Sequence, residues 1–154
     1  GENVADYMNA LAAHGKYTVK PETAQKIASE FACGFCGDED TEKTIAQLFA
    51  EQGYLLDTHT AVAWNVAGQY RTKSGSDRPL VVVSTASPFK FCTDVLDALG
   101  VSDRAQGLDV LDQLSQVTGE PVPAPLAALR SKESRFRQTV EKEHMVDAVL
   151  GMLE

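Results

Sequence analysis

The chain has 154 residues, 44% of them hydrophobic, with 22 acidic side chains against 14 basic ones and a net charge of −8. That length suits one domain or a piece of a larger protein, with about two thirds of the unfolded surface available for burial in a core. An acidic surplus without a basic cluster repels phosphate backbones, so nucleic acid is a poor partner, and no apolar run approaches the roughly 20 residues that cross a bilayer.

Gly1-Glu2-Asn3-Val4 has neither the basic start nor the apolar stretch of a secretion signal, so the expected location is cytoplasmic. Val4, Tyr7, Met8 and Leu11 follow the spacing i, i+3, i+4, i+7 of a helix with one apolar face, and Ala24, Ile27, Ala28 and Phe31 repeat it. Both faces require a partner, and Pro21 suits the first position of the second helix, where a missing N–H costs nothing. A third helix begins in Asp38-Glu39-Asp40, whose carboxylates can cap free N–H groups and suit the positive end of the dipole. It carries Ile45, Leu48 and Phe49 and stops at Gly53.

Beyond Gly53 the pattern changes to a strand-like run, Tyr54-Leu55-Leu56, and Asp57 or Thr58 then caps a helix reaching about Tyr70. Ala61, Val62, Ala63, Trp64, Val66 and Ala67 make that helix apolar almost all round, which predicts burial on more than one side. A polar loop leads to Leu80-Val81-Val82-Val83, a β-branched run without alternation, as in a strand covered on both faces. Ser84-Thr85-Ala86-Ser87 and Pro88 then read as a helix start, with Phe91, Val95, Ala98 and Leu99 inward and Gly100 at the end. The rest is helical: Leu108 to Val117, a connection rich in proline at Pro121, Pro123 and Pro125, and a last helix with Val146, Val149, Leu150 and Leu153 on one face.

Strand, helix, strand, helix predicts an α/β protein, helix-rich, with a short parallel βαβα unit. Two parallel strands buried on both faces are not stable alone, because sheets ordinarily need three or more. The unit is therefore expected to belong to a larger sheet, in a longer protein or in an oligomer.

Cys33-Gly34-Phe35-Cys36 has the spacing of a thiol-disulfide pair or half a zinc site. Exchange chemistry favours a first cysteine at a helix N-terminus, whereas Cys33 follows a helical pattern ending near Phe31. Zinc needs two more ligands, and Cys92, His14, His59 and His144 show no paired spacing. Two small apolar residues in a loop are the plainer alternative. At the second strand end, Ser84 and Thr85 occupy the place where open α/β sheets bind ligands, and Ser87 with Pro88 opens a helix whose N–H groups can hold an anion. The same hydroxyls can equally be caps and turn residues. At the first strand end, Asp57 and His59 could handle a proton, or Asp57-Thr58-His59-Thr60 could simply cap the helix. Lys90 could bind an anion or form an imine, or be a plain surface lysine. A Gly-rich phosphate loop and a G-x-S-x-G elbow are both absent.

Gly53-Tyr54-Leu55-Leu56-Asp57-Thr58-His59-Thr60-Ala61-Val62-Ala63, followed by Val81-Val82-Val83-Ser84-Thr85-Ala86-Ser87-Pro88-Phe89-Lys90-Phe91, resembles the C-terminal part of threonine synthase. The two motifs occur in order at a plausible interval, and the helical flanks extend the resemblance over most of the chain. Thr58 stands where that family commonly has proline, which would only stiffen a turn. Ser87 stands where it commonly has histidine, so no histidine role at that position carries over. The resemblance implies a pyridoxal-phosphate enzyme of the tryptophan synthase β-like fold that converts O-phosphohomoserine and water to threonine and phosphate. It also implies that the Schiff-base lysine and the loop cradling the cofactor phosphate lie upstream of the matched region, so the expected partner is the rest of a parent polypeptide.

Residues 1–53 then form a helical segment, and residues 54–154 the C-terminal part of the cofactor-binding α/β domain. In related enzymes a Ser or Thr hydroxyl near a C-terminal strand end contacts the pyridine nitrogen. The resemblance assigns this to Thr85, with Ser84 as the alternative, and brings no role for His59 or Lys90. Two other readings stay open: a free-standing thiol or metal protein built on Cys33 and Cys36, and a helical interaction module without chemistry.

Overall fold

The structure is a computed structural model that describes residues 2–134 and 137–153; the start of the Gly1-Glu2-Asn3-Val4 segment, Gly1, lies outside them. It divides into two compact units, Gly1–Arg104 and Ala105–Glu154.

The first unit opens with α1 (Glu2–His14) and α2 (Pro21–Glu30), with Pro21 at the start of α2 as its fixed φ suggests. The Tyr17 ring folds back to stack on Tyr7 with centroids 5.1 Å apart. The apolar faces read from the periodicity are present but uncovered: Val4, Met8, Leu11, Ile27 and Phe31 are all exposed. Helix α3 (Asp38–Gln52) begins after Gly37, and no side chain caps it. The acidic run lies in its first turn, favouring the dipole without closing the cap, and Glu39 pairs with Lys43 at 2.7 Å. Lys43 holds the Glu39 carboxyl below its ordinary range. Gly53 ends α3 with φ 67°, a left-handed conformation that costs glycine nothing.

Helix α4 (Thr58–Ser74) packs against α3, which also packs against α5 (Cys92–Ala98). A single 3-10 turn, Pro88–Lys90, precedes α5. Ile45 and Leu48 from α3, Leu55 and Leu56 from the connection, Ala61 from α4, and Phe89, Val95 and Leu96 form the buried core. Full burial of each large aliphatic side chain contributes about 1.5 to 3 kcal/mol.

Neither predicted strand forms. Residues 53–57 and 79–85 have neither helix nor ladder, and no strand occurs among the described residues, so the βαβα unit is replaced by an all-helical arrangement. A strand takes its backbone hydrogen bonds from a neighbouring strand, and neither segment has one here. Leu55 and Leu56 are buried against helices instead, while Val81 and Val83 are 89% and 69% exposed. The expected burial of α4 on several sides is not found either: Thr60 and Ala61 are its buried residues, and Trp64 is exposed.

The second unit contains α6 (Asp109–Thr118), which buries Leu111 and Leu114, and α7 (Ala124–Ala127), which continues into a 3-10 turn, Ala128–Ser131. Arg130 reaches back to α6, donating from Nη2 to Leu108 O at 2.9 Å and to Asp112 Oδ2 at 2.7 Å. Helix α8 (Met145–Leu150) follows a short turn, and Val146, Val149, Leu150 and Leu153 are all exposed. No helix among the described residues is long and apolar enough to cross a membrane.

These burials separate two isoleucines. Ile45→Ala should lower the unfolding free energy of the 154-residue chain by about 2 to 5 kcal/mol in urea titration. Ile27→Ala, on the open face of α2, should change it by less than about 1 kcal/mol. Equal losses would contradict the packing described.

Candidate functional site

The two motif segments meet where Thr60 touches Ser84 and His59 leans on Phe91, both side chains held by Asp57. Its carboxylate is buried and caps α4: Oδ1 accepts from the backbone N–H of His59 at 3.0 Å and of Thr60 at 3.2 Å. Burying a carboxylate is costly unless its lone pairs are satisfied, and the cap supplies that satisfaction. Oδ2 accepts from the hydroxyl of Thr60, which is itself buried. Thr60 Oγ1 also lies 3.3 Å from Ser84 Oγ, a link between residues 24 positions apart.

The relay therefore runs Asp57, Thr60, Ser84, with the single Thr60 hydroxyl proton directed at both the Asp57 carboxylate and Ser84 Oγ. Ser84 is the acceptor in its contact with Thr60. Thr85, the next residue, is exposed and its hydroxyl has no protein partner among the described residues.

His59 sits on the other side of the same carboxylate. Its Nδ1 is 3.5 Å from Asp57 Oδ1 and 3.3 Å from Thr58 Oγ1, and its ring leans on Phe91 with centroids 4.9 Å apart. The imidazole is largely exposed. Ser87 accepts the Phe89 N–H at 3.3 Å, so it caps the 3-10 turn, and Lys90 in that turn is exposed. A cavity of about 330 Å³ beside Thr58 is lined by Asp38, Glu42 and Asp94, an acidic wall that disfavours a phosphate group there.

The remaining candidates lie elsewhere. Cys33 is exposed, and Cys36 Sγ lies 3.4 Å from Thr41 Oγ1. Cys92 is buried and donates to Phe89 O at 3.2 Å; its burial pushes the thiol pKa up, partly offset by a backbone hydrogen bond. His14 is exposed at the end of α1, and His144 faces Asp147 at 3.6 Å, also exposed. No group of three or more His, Cys, Asp or Glu able to hold a metal occurs among the described residues. Sequence reasoning missed the role of Thr60. The spacing Asp57-x-x-Thr60 was a usable sign, since an N-cap residue reaches three positions ahead.

Comparison with known proteins gives a consistent result. The family described as "Threonine synthase, C-terminal" matches residues 60–150. Threonine synthase-like 1 of Mus musculus is 33% identical over 112 residues, covering 71% of this chain and 15% of the relative. Threonine synthase of Pseudomonas aeruginosa is 34% identical over 91 residues, covering 59% of this chain and 19% of the relative. The crystal structure of PLP-bound threonine synthase from Brucella melitensis superposes with a TM-score of 0.64 at 30% identity, covering 88% of this chain and 25% of that one. The chain thus spans a quarter or less of the length of each of these proteins.

Removing the middle of the relay tests its weight. Thr60→Val should lower the unfolding free energy by about 1 to 3 kcal/mol, because the buried Asp57 carboxylate loses a donor. Ser84→Ala, at an exposed hydroxyl, should cost less than about 1 kcal/mol. Chemical denaturation of the two variants compares them, and an inverted order would contradict the relay.

Proposed function

The chain belongs to the threonine synthase family through its C-terminal region, and from that premise we propose that it forms the hydroxyl-bearing end of a pyridoxal-phosphate site in a longer enzyme that converts O-phosphohomoserine and water to threonine and phosphate. The observation that carries this reading is the pair of neighbouring hydroxyls at Ser84 and Thr85, one tied inward through Thr60 to Asp57 and one without a protein partner.

The residues present fit one edge of the cofactor. A pyridine nitrogen that stays unprotonated needs a neutral donor, and Thr85 offers a hydroxyl free to donate. Ser84 is already engaged by Thr60, whereas Thr85 has no protein partner among the described residues, so Thr85 is the better assignment and Ser84 the alternative. The acidic wall beside Thr58 does not suit the phosphate end, in keeping with a phosphate cradle in the upstream part of the enzyme. When bound, the cofactor supplies an electron sink, and a hydroxyl partner at its ring nitrogen tunes that sink. Asp57 and Thr60 fix where the Ser84-Thr85 corner stands, through the α4 cap and the relay. The partner in this reading is the rest of the parent polypeptide, which covers the apolar faces exposed here, and the enzyme works in the cytoplasm.

Thr85→Val in the full-length enzyme should lower turnover and weaken pyridoxal-phosphate binding while thermal unfolding of the apoenzyme stays unchanged. Steady-state kinetics with a cofactor titration check this, and unchanged values would sink the assignment. The 154-residue chain alone should make no threonine from O-phosphohomoserine, because the cofactor-anchoring lysine is expected upstream. Threonine detected in that assay would refute the division of labour proposed.

A further inference from the structure

His59 has no part in the cofactor site as described, yet it is held by that site's anchor. The Asp57 side chain is closed to solvent, whereas the His59 imidazole is 63% exposed, with Nδ1 3.5 Å from Asp57 Oδ1. A proton from solvent therefore acts on the sealed carboxylate by way of His59. Thr58 Oγ1 lies 3.3 Å from the same nitrogen and can give or take a hydrogen, whereas the carboxylate only accepts. Both contacts are attractive when Nδ1 carries the hydrogen, which leaves Nε2 as the nitrogen that gains and loses a proton. The Phe91 ring, 4.9 Å away and tilted by 48°, limits rotation of the imidazole. The other ionisable groups around the pair are Asp38 and Glu42 of α3 and Asp94 of α5, which line the cavity beside Thr58, and Lys90 in the turn before Phe91. All four are exposed, unlike Asp57.

The two oxygens of Asp57 are committed differently. Oδ1 takes the backbone N–H groups of the α4 cap and faces His59, while Oδ2 takes the Thr60 hydroxyl, whose one proton is also within reach of Ser84 Oγ. A single hydroxyl proton serves one acceptor well at a time. With a neutral imidazole, the carboxylate keeps its full charge and holds that proton. With an imidazolium, the Nδ1–H of His59 offsets the charge, and the Thr60 hydroxyl is free to turn to Ser84. We propose that His59 is a positioning residue: on gaining a proton it shifts the Thr60 hydroxyl from Asp57 toward Ser84 and so firms the Ser84-Thr85 corner for the pyridoxal-phosphate ring.

The proton count is simple. Nε2 takes one proton from solvent, Thr60 keeps its own and only rotates, and no heavy-atom bond forms or breaks. Binding is reciprocal: if the protonated pair favours the cofactor, the cofactor favours the protonated pair by the same factor. Cofactor affinity therefore falls as pH rises through the titration of His59. This inference rests on the reading that places the cofactor ring at Thr85, and it adds a proton-dependent control of that same corner.

The test uses the full-length enzyme with isotope-labelled histidine, so that NMR follows the His59 ring across roughly pH 5 to 8, where an imidazole ordinarily titrates. The signal lost in His59→Gln identifies it. In the apoenzyme the neutral ring should carry its hydrogen on Nδ1; a hydrogen on Nε2 instead overturns the pair. Adding pyridoxal phosphate should raise the titration midpoint of His59, and cofactor affinity should fall about fivefold as pH rises through it, the low end for two linked sites. Ser84→Ala should keep the apoenzyme titration and lose both effects; retention of both overturns the route through Thr60. His59→Gln should bind the cofactor with an affinity flat across this range, and a slope equal to that of wild type overturns the role of His59. Failure of the cofactor reading shows separately, as a Thr85→Val enzyme with unchanged cofactor affinity.

Discussion

A buried carboxylate with several donors around it ties the start of α4 to the Ser84-Thr85 corner. Asp57 holds the first turn of α4 through two backbone N–H groups, and through Thr60 it reaches a residue on the far side of the polar loop. The Ser84-Thr85 corner is thus set relative to a helix, and a rigid element is the better platform for a hydroxyl that must meet a ligand. The imidazole of His59, braced on Phe91, shares the same anchor, which places two polar side chains of different chemistry around one fixed charge.

The chain around this anchor is unevenly covered. The helices α3, α4 and α5 enclose a small buried core, whereas α1, α2, α8 and the run ending at Val83 carry large apolar side chains in the open. Isolated exposed apolar residues are ordinary, but successive helices each with an uncovered stripe are the pattern of surfaces built to be buried. On the proposed reading, the remainder of the parent enzyme provides that burial. The relatives are several times longer than this chain, which gives such a remainder the necessary length.

Helical periodicity was legible because it is local. The stop at Gly53, the start of α4 at Thr58, the proline at the head of α2 and the span of α6 all follow from residues within a turn or two of each other. The run at Val81-Val82-Val83 misled because it records a demand for cover on both faces and says nothing about which backbone will pair with it. Pairing is non-local, and among the described residues neither extended segment finds a partner. The candidate site was legible as two motifs and not as one assembly. Ser84 and Thr85 stood out by position, but nothing in the order of residues shows that Thr60 would bridge 24 positions to Ser84 while Thr85 stays without a protein partner among the described residues. On the proposed reading, the exposure of α4 has the same origin as the missing strands, since its apolar girdle then meets the rest of the parent polypeptide.

On the proposed reading, this chain brings a neutral hydroxyl, placed by the Asp57 relay, to the ring nitrogen of pyridoxal phosphate. The most direct measurement is a crystal structure of the full-length enzyme with the cofactor bound. Thr85 Oγ1 is expected at hydrogen-bond distance from the pyridine nitrogen, about 2.7 to 3.0 Å, with Ser84 still bonded to Thr60. A pyridine nitrogen paired with a carboxylate, or with a group from outside residues 84 and 85, would contradict it.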